Sequence, residues 1–558
     1  MPNYGELPEL AATVLQPGFA GSAAPDWVRR WLAEGLGGVV LFARNVESPA
    51  QVAALTAQLR AERPDVIVAI DEEAGDVTRF EVRHGSSRPG NLALGTIDDV
   101  GLTETVARDL GVDLAAAGIT LDYAPDTDVN SNPDNPVIGV RAFGAEPGLV
   151  ARHSAAFVRG LQSAGVAACA KHFPGHGDTS VDSHHDIPLI DRGRAELEAC
   201  ELVPFRAAIA AGARVVMTGH LLVPAYDPVL PATLSPRILT GLLRGELGFD
   251  GLIVTDGIEM QAVRRRYGLY GAAVRALAAG ADAICVGGDH ADEQTAVGLR
   301  DAIVAAVRGG ELPEERLRDA AARVRSLAAW TTRAQSRTGS HATAAREVAV
   351  LASETGSETL GSNGAGSDAA VSNGAASKPA ASNGAASNGA GSAVGFHAAR
   401  RAVKVTIAGG GETALPIDGP GHVVEFAPPR NIAIDAGTPW GVGAPLNGLL
   451  PGTTSVRLDA ADLAAAPDPV ARVLDGADGR PLVLVARDVH RHAWLADVLE
   501  RVLAVRPDAI VVEMGVPVTV VGAVHIATYG ATRACGLAAA EVIAGTVVPA
   551  PSRQPLAA

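Results

Sequence analysis

Lysine is nearly missing from this chain. Lys171, Lys378 and Lys404 stand against 43 arginines, and the net charge is −16. No basic stripe occurs, and basic residues do not interleave with aromatic ones. A polyanion gains little from such a surface, so general nucleic-acid binding is excluded. Cysteine is also sparse. Cys169, Cys200, Cys285 and Cys535 are scattered, with no C-x-x-C spacing. That excludes a disulfide framework and a cysteine zinc site, and it suits reduced, mostly buried thiols. No apolar run reaches membrane-spanning length. The first ten residues, MPNYGELPEL, have neither a basic nor an apolar leader region. No signal peptide is therefore expected, and a cytoplasmic location is.

What is there is a long chain with repeated short apolar runs. At 558 residues and 47% hydrophobic composition it needs more than one core. Eight runs punctuate the first 290 residues: 12–16, 38–42, 66–70, 119–123, 166–170, 214–218, 252–255 and 283–287. They are short and mostly rich in Val and Ile, which predicts strands. Stretches with helical periodicity lie between them, among them 49–63, 103–117, 146–164 and 236–247, the last with Ser235 as N-cap. Strand alternating with helix eight times predicts a (β/α)8 TIM barrel over residues 1–335. Residues 336–395 hold a helical stretch and a Ser/Asn/Gly/Ala tract with almost nothing to bury, which predicts a low-complexity linker. Residues 396–558 read as a smaller C-terminal α/β sandwich domain. Its expected buried parallel strands are 402–407, 481–486 and 509–513, with a helix at 494–504. No site is expected there, and His490 and His492 read as surface loop residues.

The C-terminal ends of the eight runs concentrate charge. They carry Arg44, Asp71-Glu72-Glu73, Asp126 and Asp128, Lys171-His172, His220, Asp256, and Asp289-His290. In a barrel that rim is where catalysis sits. The richest stretch is KHFPGHGDTSVDSHHDIP, Lys171 to Pro188, with four histidines and three aspartates. Its glycines and proline predict a loop opening directly after the fifth run.

Asp256 ends an apolar run and is aimed at the barrel mouth, where it can serve as nucleophile, base, metal ligand or helix cap. Asp182 and His184 lie two residues apart, so in extended backbone they share a side. Asp182 can then fix the imidazole tautomer and leave the other ring nitrogen of His184 to move a proton. Lys171 is a compact donor beside His172. The rival is a metal held by His172, His176, Asp178, His184 and His185. The loop lacks H-x-x-H and H-E-x-x-H spacing, and neither a metal nor any other cofactor is expected.

The segments IDEEAGDVTRF, APDTDVN, NPVIGVRAFG, KHFPGHGDTSVDSHHDIP and GFDGLIVTD, in this order, resemble glycoside hydrolase family 3, in its bacterial β-N-acetylglucosaminidase branch. The resemblance spans roughly residues 8–335, and YGATRACGLAAAEVIAG resembles the second domain of many members. It implies Asp256 as catalytic nucleophile and His184, paired with Asp182, as general acid/base. It implies Asp71, Arg79, Arg141, Lys171 and His172 as holders of the sugar hydroxyls. The implied activity is retaining hydrolysis of terminal β-linked N-acetylglucosamine from peptidoglycan fragments, with a small carbohydrate or muropeptide as partner and no cofactor, nucleic acid or membrane. A β-glucoside or β-N-acetylglucosaminide phosphorylase, a β-glucosidase, a metal-dependent amidohydrolase and an inactive sugar-binding module are the other readings. One departure stands out: the family usually has Gly-Gly-Arg where this chain has Ala74-Gly75-Asp76.

Overall fold

The computed structural model describes residues 6–179, 187–288, 290–355, 391–407, 415–429 and 431–547, with side chains omitted for 338–355. Asp182, His184 and His185 fall outside the described residues, as does most of the Ser/Asn/Gly/Ala tract.

The first part is a curled parallel sheet. Its strands are β1 (Leu15–Pro17), β2 (Gly38–Leu41), β3 (Ile67–Ile70), β4 (Leu121–Asp122), β5 (Ala167–Phe173), β6 (Val215–Thr218), β7 (Leu252–Thr255) and β8 (Ile284–Val286). Strands β2 to β7 pair in chain order, β1 pairs with β8, and a Val254–Ala283 bridge ties β7 to that pair. Side chains alternate between two buried faces, which is why the runs read as continuously apolar. Val40, Ile67, Ala69, Leu121, Ala167, Cys169, Val215, Met217, Leu252, Val254 and Cys285 form one cluster, inside the curl. Val324, Leu327 and Ala328 of the helix Glu314–Thr355 close the floor of that cluster. Val39, Leu41, Val68, Ile70, Val216 and Ile253 face the other way, into the core shared with the surrounding helices.

Several expectations shift. The first run is split: Leu7–Thr13 is a helix that takes its first two residues, and the strand begins only at Leu15. The fifth strand does not stop at Ala170 but runs to Phe173, so Lys171 and His172 belong to the strand rather than to the loop. The helix after Ser235 spans Arg237–Glu246 and is a wide π-helix, with Ser235 Oγ accepting from the Ile238 amide at 3.3 Å. The helix Glu314–Thr355 runs unbroken through residue 335.

The second part is a six-stranded sheet of β9 (Lys404–Ile407), β10 (His422–Phe426), β11 (Thr454–Leu458), β12 (Leu482–Ala486), β13 (Ile510–Glu513) and β14 (Val524–Ala527), in the order β11-β10-β12-β13-β14-β9. Five strands are parallel. The expectation for β9 is corrected: it pairs antiparallel to β14 at the edge, with Lys404 and Ile407 exposed. One face packs on the helices Ala393–Ala402, Gly443–Leu449 and Arg533–Ile543, the other on Ala493–Val505. Ser392 caps the first of these, accepting from the Gly395 amide at 2.9 Å and donating to Asp109 of the first part at 2.6 Å. Among the described residues, no helix is long and apolar enough to cross a membrane.

Candidate functional site

The inward-facing series on three strands ends in a charged residue. Ile67 and Ala69 lead to Asp71; Ala167 and Cys169 lead to Lys171; Leu252 and Val254 lead to Asp256. A period of two therefore carries the apolar lining of the curl directly into a charged mouth at the strands' C-terminal ends. Asp256 follows β7, its amide donating to the Thr218 carbonyl of β6 at 3.1 Å. Its carboxylate accepts from the Gly257 amide at 2.8 Å. Asp71 and Asp256 both act electrostatically on the buried thiols of Cys169 and Cys285, helping burial to push them upward.

Register between β5 and β6 shifts between Ala170 and Phe173. Such an irregularity breaks strict alternation and re-aims side chains. Neighbours Lys171 and His172 both serve the same cluster. Lys171 Nζ pairs with Asp71 and sits 2.6 Å from Glu73 Oε1. Arg141 grips Glu73 with two nitrogens, Nη2 at 2.7 Å and Nε at 2.9 Å. The second of these ion pairs is 2–4% exposed. Burial opposes the ionised Glu73, but Arg141 and Lys171 outweigh it and hold its carboxyl well below the usual range. Burial likewise works against charge on Lys171 and Arg141. Asp71 and Glu73 overcome it for the ammonium and Glu73 for the guanidinium, and both are held above their ordinary values.

His172 is fixed by Asp128, whose carboxylate lies 2.7 Å from Nδ1 and also accepts from the His176 amide at 2.7 Å. The Nε2 edge of His172 faces Arg141, 3.4 Å away. Asp126 lies beneath them. Its buried carboxyl is raised well above the usual range by desolvation and by Asp128. Asp126, Asp128 and His172 can bring three ligand atoms within 4.8 Å of one another. Arg141 Nε lies 3.7 Å from Asp126, so a guanidinium already stands at the mouth of that trio.

Arg79 completes the ring. One of its nitrogens, Nη2, donates to Asp71 at 3.3 Å and to the Ala433 carbonyl of the second part at 2.8 Å. Its amide donates to Glu72, as does that of Phe80. Burial lifts the Glu72 carboxyl to about 7.

The five residues expected to hold sugar hydroxyls therefore stand together: Asp71, Arg79, Arg141, Lys171 and His172. Asp256 ends an inward series on the same rim. Residues 180–186, with Asp182 and His184, lie outside the described residues. His176 is buried against Thr179 at 2.8 Å, and burial lowers its imidazole to about 4. Asp178 pairs with Arg192 at 2.5 Å. Sequence reasoning marked Glu73 and Asp128 as strand-end charges but gave them no task. Their tasks appear only once Lys171, Arg141 and His172 are brought beside them. Ala433 acts through its carbonyl, which no side-chain pattern announces. His490 and His492, expected on a plain surface loop, are placed beside the first part. His490 Nε2 lies 2.9 Å from the Pro133 carbonyl, and His492 lines a cleft of about 260 Å³ between the parts.

A ring of mostly buried donors and paired carboxylates, with a further carboxylate on the same rim, can offer hydrogen bonds to a polyhydroxylated ligand. It belongs to the class of α/β enzymes that work at the C-terminal ends of parallel strands. The chain belongs to glycosyl hydrolase family 3, whose N-terminal domain model matches residues 15–327. A beta-hexosaminidase of Nitrosomonas eutropha is 41% identical over 286 residues, covering 49% of this chain and 81% of that protein. Beta-hexosaminidase A of Pseudoalteromonas piscicida is 38% identical over 269 residues, so this chain matches only 45% of that relative's length. Among solved structures, a glycoside hydrolase family 3 beta-N-acetylglucosaminidase from Paenibacillus sp. str. FPU-7 aligns over 97% of both chains, with 31% identity and a TM-score of 0.78.

Proposed function

We propose that this chain is a retaining exo-β-N-acetylglucosaminidase acting on terminal β-linked N-acetylglucosamine of peptidoglycan fragments. The observation that carries the proposal is the meeting of Asp71, Lys171, Arg141, His172 and Arg79 on the strand rim that also bears Asp256. The beta-hexosaminidase names of its relatives supply the sugar class. We read the curled sheet as a (β/α)8 barrel within residues 1–335, joined through 336–395 to a second α/β domain over 396–558.

In this reading Asp71, Arg79, Arg141, Lys171 and His172 hold the sugar hydroxyls, so the anomeric carbon faces Asp256. Asp256 attacks and forms a covalent glycosyl-enzyme. His184, oriented by Asp182, protonates the departing oxygen and then deprotonates the incoming water. Because the hydroxyl holders are buried or half-buried and already paired, they need little reorganisation when charge develops on the ring.

The test is steady-state turnover of aryl β-N-acetylglucosaminides and aryl β-glucosides by the full chain, with and without phosphate. Hydrolysis selective for the acetamido sugar, independent of phosphate, is expected. In His184→Ala the rate on a nitrophenyl leaving group should fall less than that on an alkyl one. Preference for glucoside, a requirement for phosphate, or equal losses on both leaving groups would each contradict the matching part of the proposal.

A further inference from the structure

Several contacts between the two parts fall on the two loops that present Arg79 and Arg141. Arg79 Nη2 carries two hydrogens. One points to Asp71 and one to the Ala433 carbonyl, so the second part uses half of that nitrogen's donor capacity. Ala433 is itself held, its amide donating to Asn431 Oδ1 at 2.9 Å. Asn431 Nδ2 donates to the Val137 carbonyl at 2.5 Å, and the same carbonyl accepts from Arg141 Nη1 at 3.0 Å. Segment 431–434 therefore touches the anchoring of both Arg79 and Arg141.

Asp76 stands where the family resemblance leads one to expect arginine. It is buried, with Oδ2 2.5 Å from Arg487 Nη2 and Oδ1 accepting from the Ala531 amide at 2.8 Å. Arg487 also lies over the Trp440 ring, 5.3 Å from its centre. An aspartate with both oxygens engaged by the second part, six residues past the end of β3 and three before Arg79, ties the Asp71–Arg79 loop to that part.

We propose that the second part positions the sugar-holding residues: the Ala433 carbonyl fixes Arg79 against Asp71, and the Asp76–Arg487 pair latches the two parts in the register this requires. Asp76, Arg487 and Asn431 are positioning residues. The inference rests on the reading of Arg79 and Asp71 as hydroxyl holders. A guanidinium held by a carboxylate alone can swing with it. One held also by a fixed carbonyl presents its remaining donors in one direction.

The experiment measures kcat and KM of the full chain on an aryl β-N-acetylglucosaminide for Arg487→Ala, Asn431→Ala, Arg79→Ala and the double variant Arg79→Ala/Arg487→Ala. Loss of uniform binding predicts KM raised roughly tenfold in each latch variant, with kcat changed less than about threefold. Because the latch acts through Arg79, the double variant should be no worse than Arg79→Ala. Hydrogen exchange of residues 71–80 should speed up in Arg487→Ala and Asn431→Ala whatever the enzyme's substrate. Unchanged KM in both latch variants, or a full further tenfold loss on top of Arg79→Ala, overturns the proposal. If the parent chain turns over no such substrate, the activity reading fails. The exchange data then decide alone, with unchanged protection of residues 71–80 rejecting the latch.

Discussion

Replacing Glu73 by glutamine isolates what the buried charge cluster does. Glu73 is 2.6 Å from Lys171 Nζ and within 2.7–2.9 Å of two Arg141 nitrogens, all three side chains being nearly inaccessible. Glutamine keeps the shape but removes the negative charge, and its amide points a donor at a donor. Lys171 retains Asp71. Arg141 is left with Asp126, which lies 3.7 Å away and whose carboxyl is raised well above the usual range, so it offers little compensating charge. Stranding one member of a buried pair costs about 3–5 kcal/mol. Equilibrium denaturation of the full chain, followed by tryptophan fluorescence, should show a loss of that size in the transition of the first part. The double variant Glu73→Gln/Arg141→Met, which removes the stranded cation, should recover a large share of it. A loss below about 1 kcal/mol in the single variant, or additive losses in the double, would refute the view that Glu73 compensates Arg141.

Two pH effects follow from buried groups of opposite sign. His176 is lowered to about 4 by burial. The unfolded chain therefore takes up this proton first, and stability present above the ordinary histidine value near ~6.5 is lost as pH falls toward 4, by up to about 3 kcal/mol. In His176→Gln that loss should shrink, as read from unfolding free energies at pH 7 and 4.5; an unchanged slope contradicts it. Glu72 is raised to about 7, again by burial. Its contribution is complete below the ordinary glutamate value and declines as pH rises to 7, so Glu72→Gln should flatten the decline between about pH 4.5 and 7. A decline as steep as in the parent chain would show that Glu72 does not cause it.

The first sheet was legible in sequence because its strands are buried on both faces, so β2, β3, β6, β7 and β8 are bare apolar runs. In the second sheet β10, β11 and β14 escaped the reading because Glu425, Arg457 and His525 interrupt them. Glu425 is satisfied by Arg457 and by the amides of Val442 and Gly443, partners that only the fold brings near. Lys171 and His172 were found at the right place but assigned to a loop. The register shift between Ala170 and Phe173 involves β6 and leaves no trace in local pattern. The role of Asp76 was equally hidden, since Arg487 lies 411 residues away along the chain.

In the proposed mechanism Asp256 forms the covalent bond to the sugar. The direct measurement is to trap the intermediate with a fluorinated glycosyl donor and map the labelled peptide by mass spectrometry. One added glycosyl group on Asp256, absent in Asp256→Asn, is expected. A label on any other carboxylate, or turnover of the donor by Asp256→Asn at the parent rate, would contradict it.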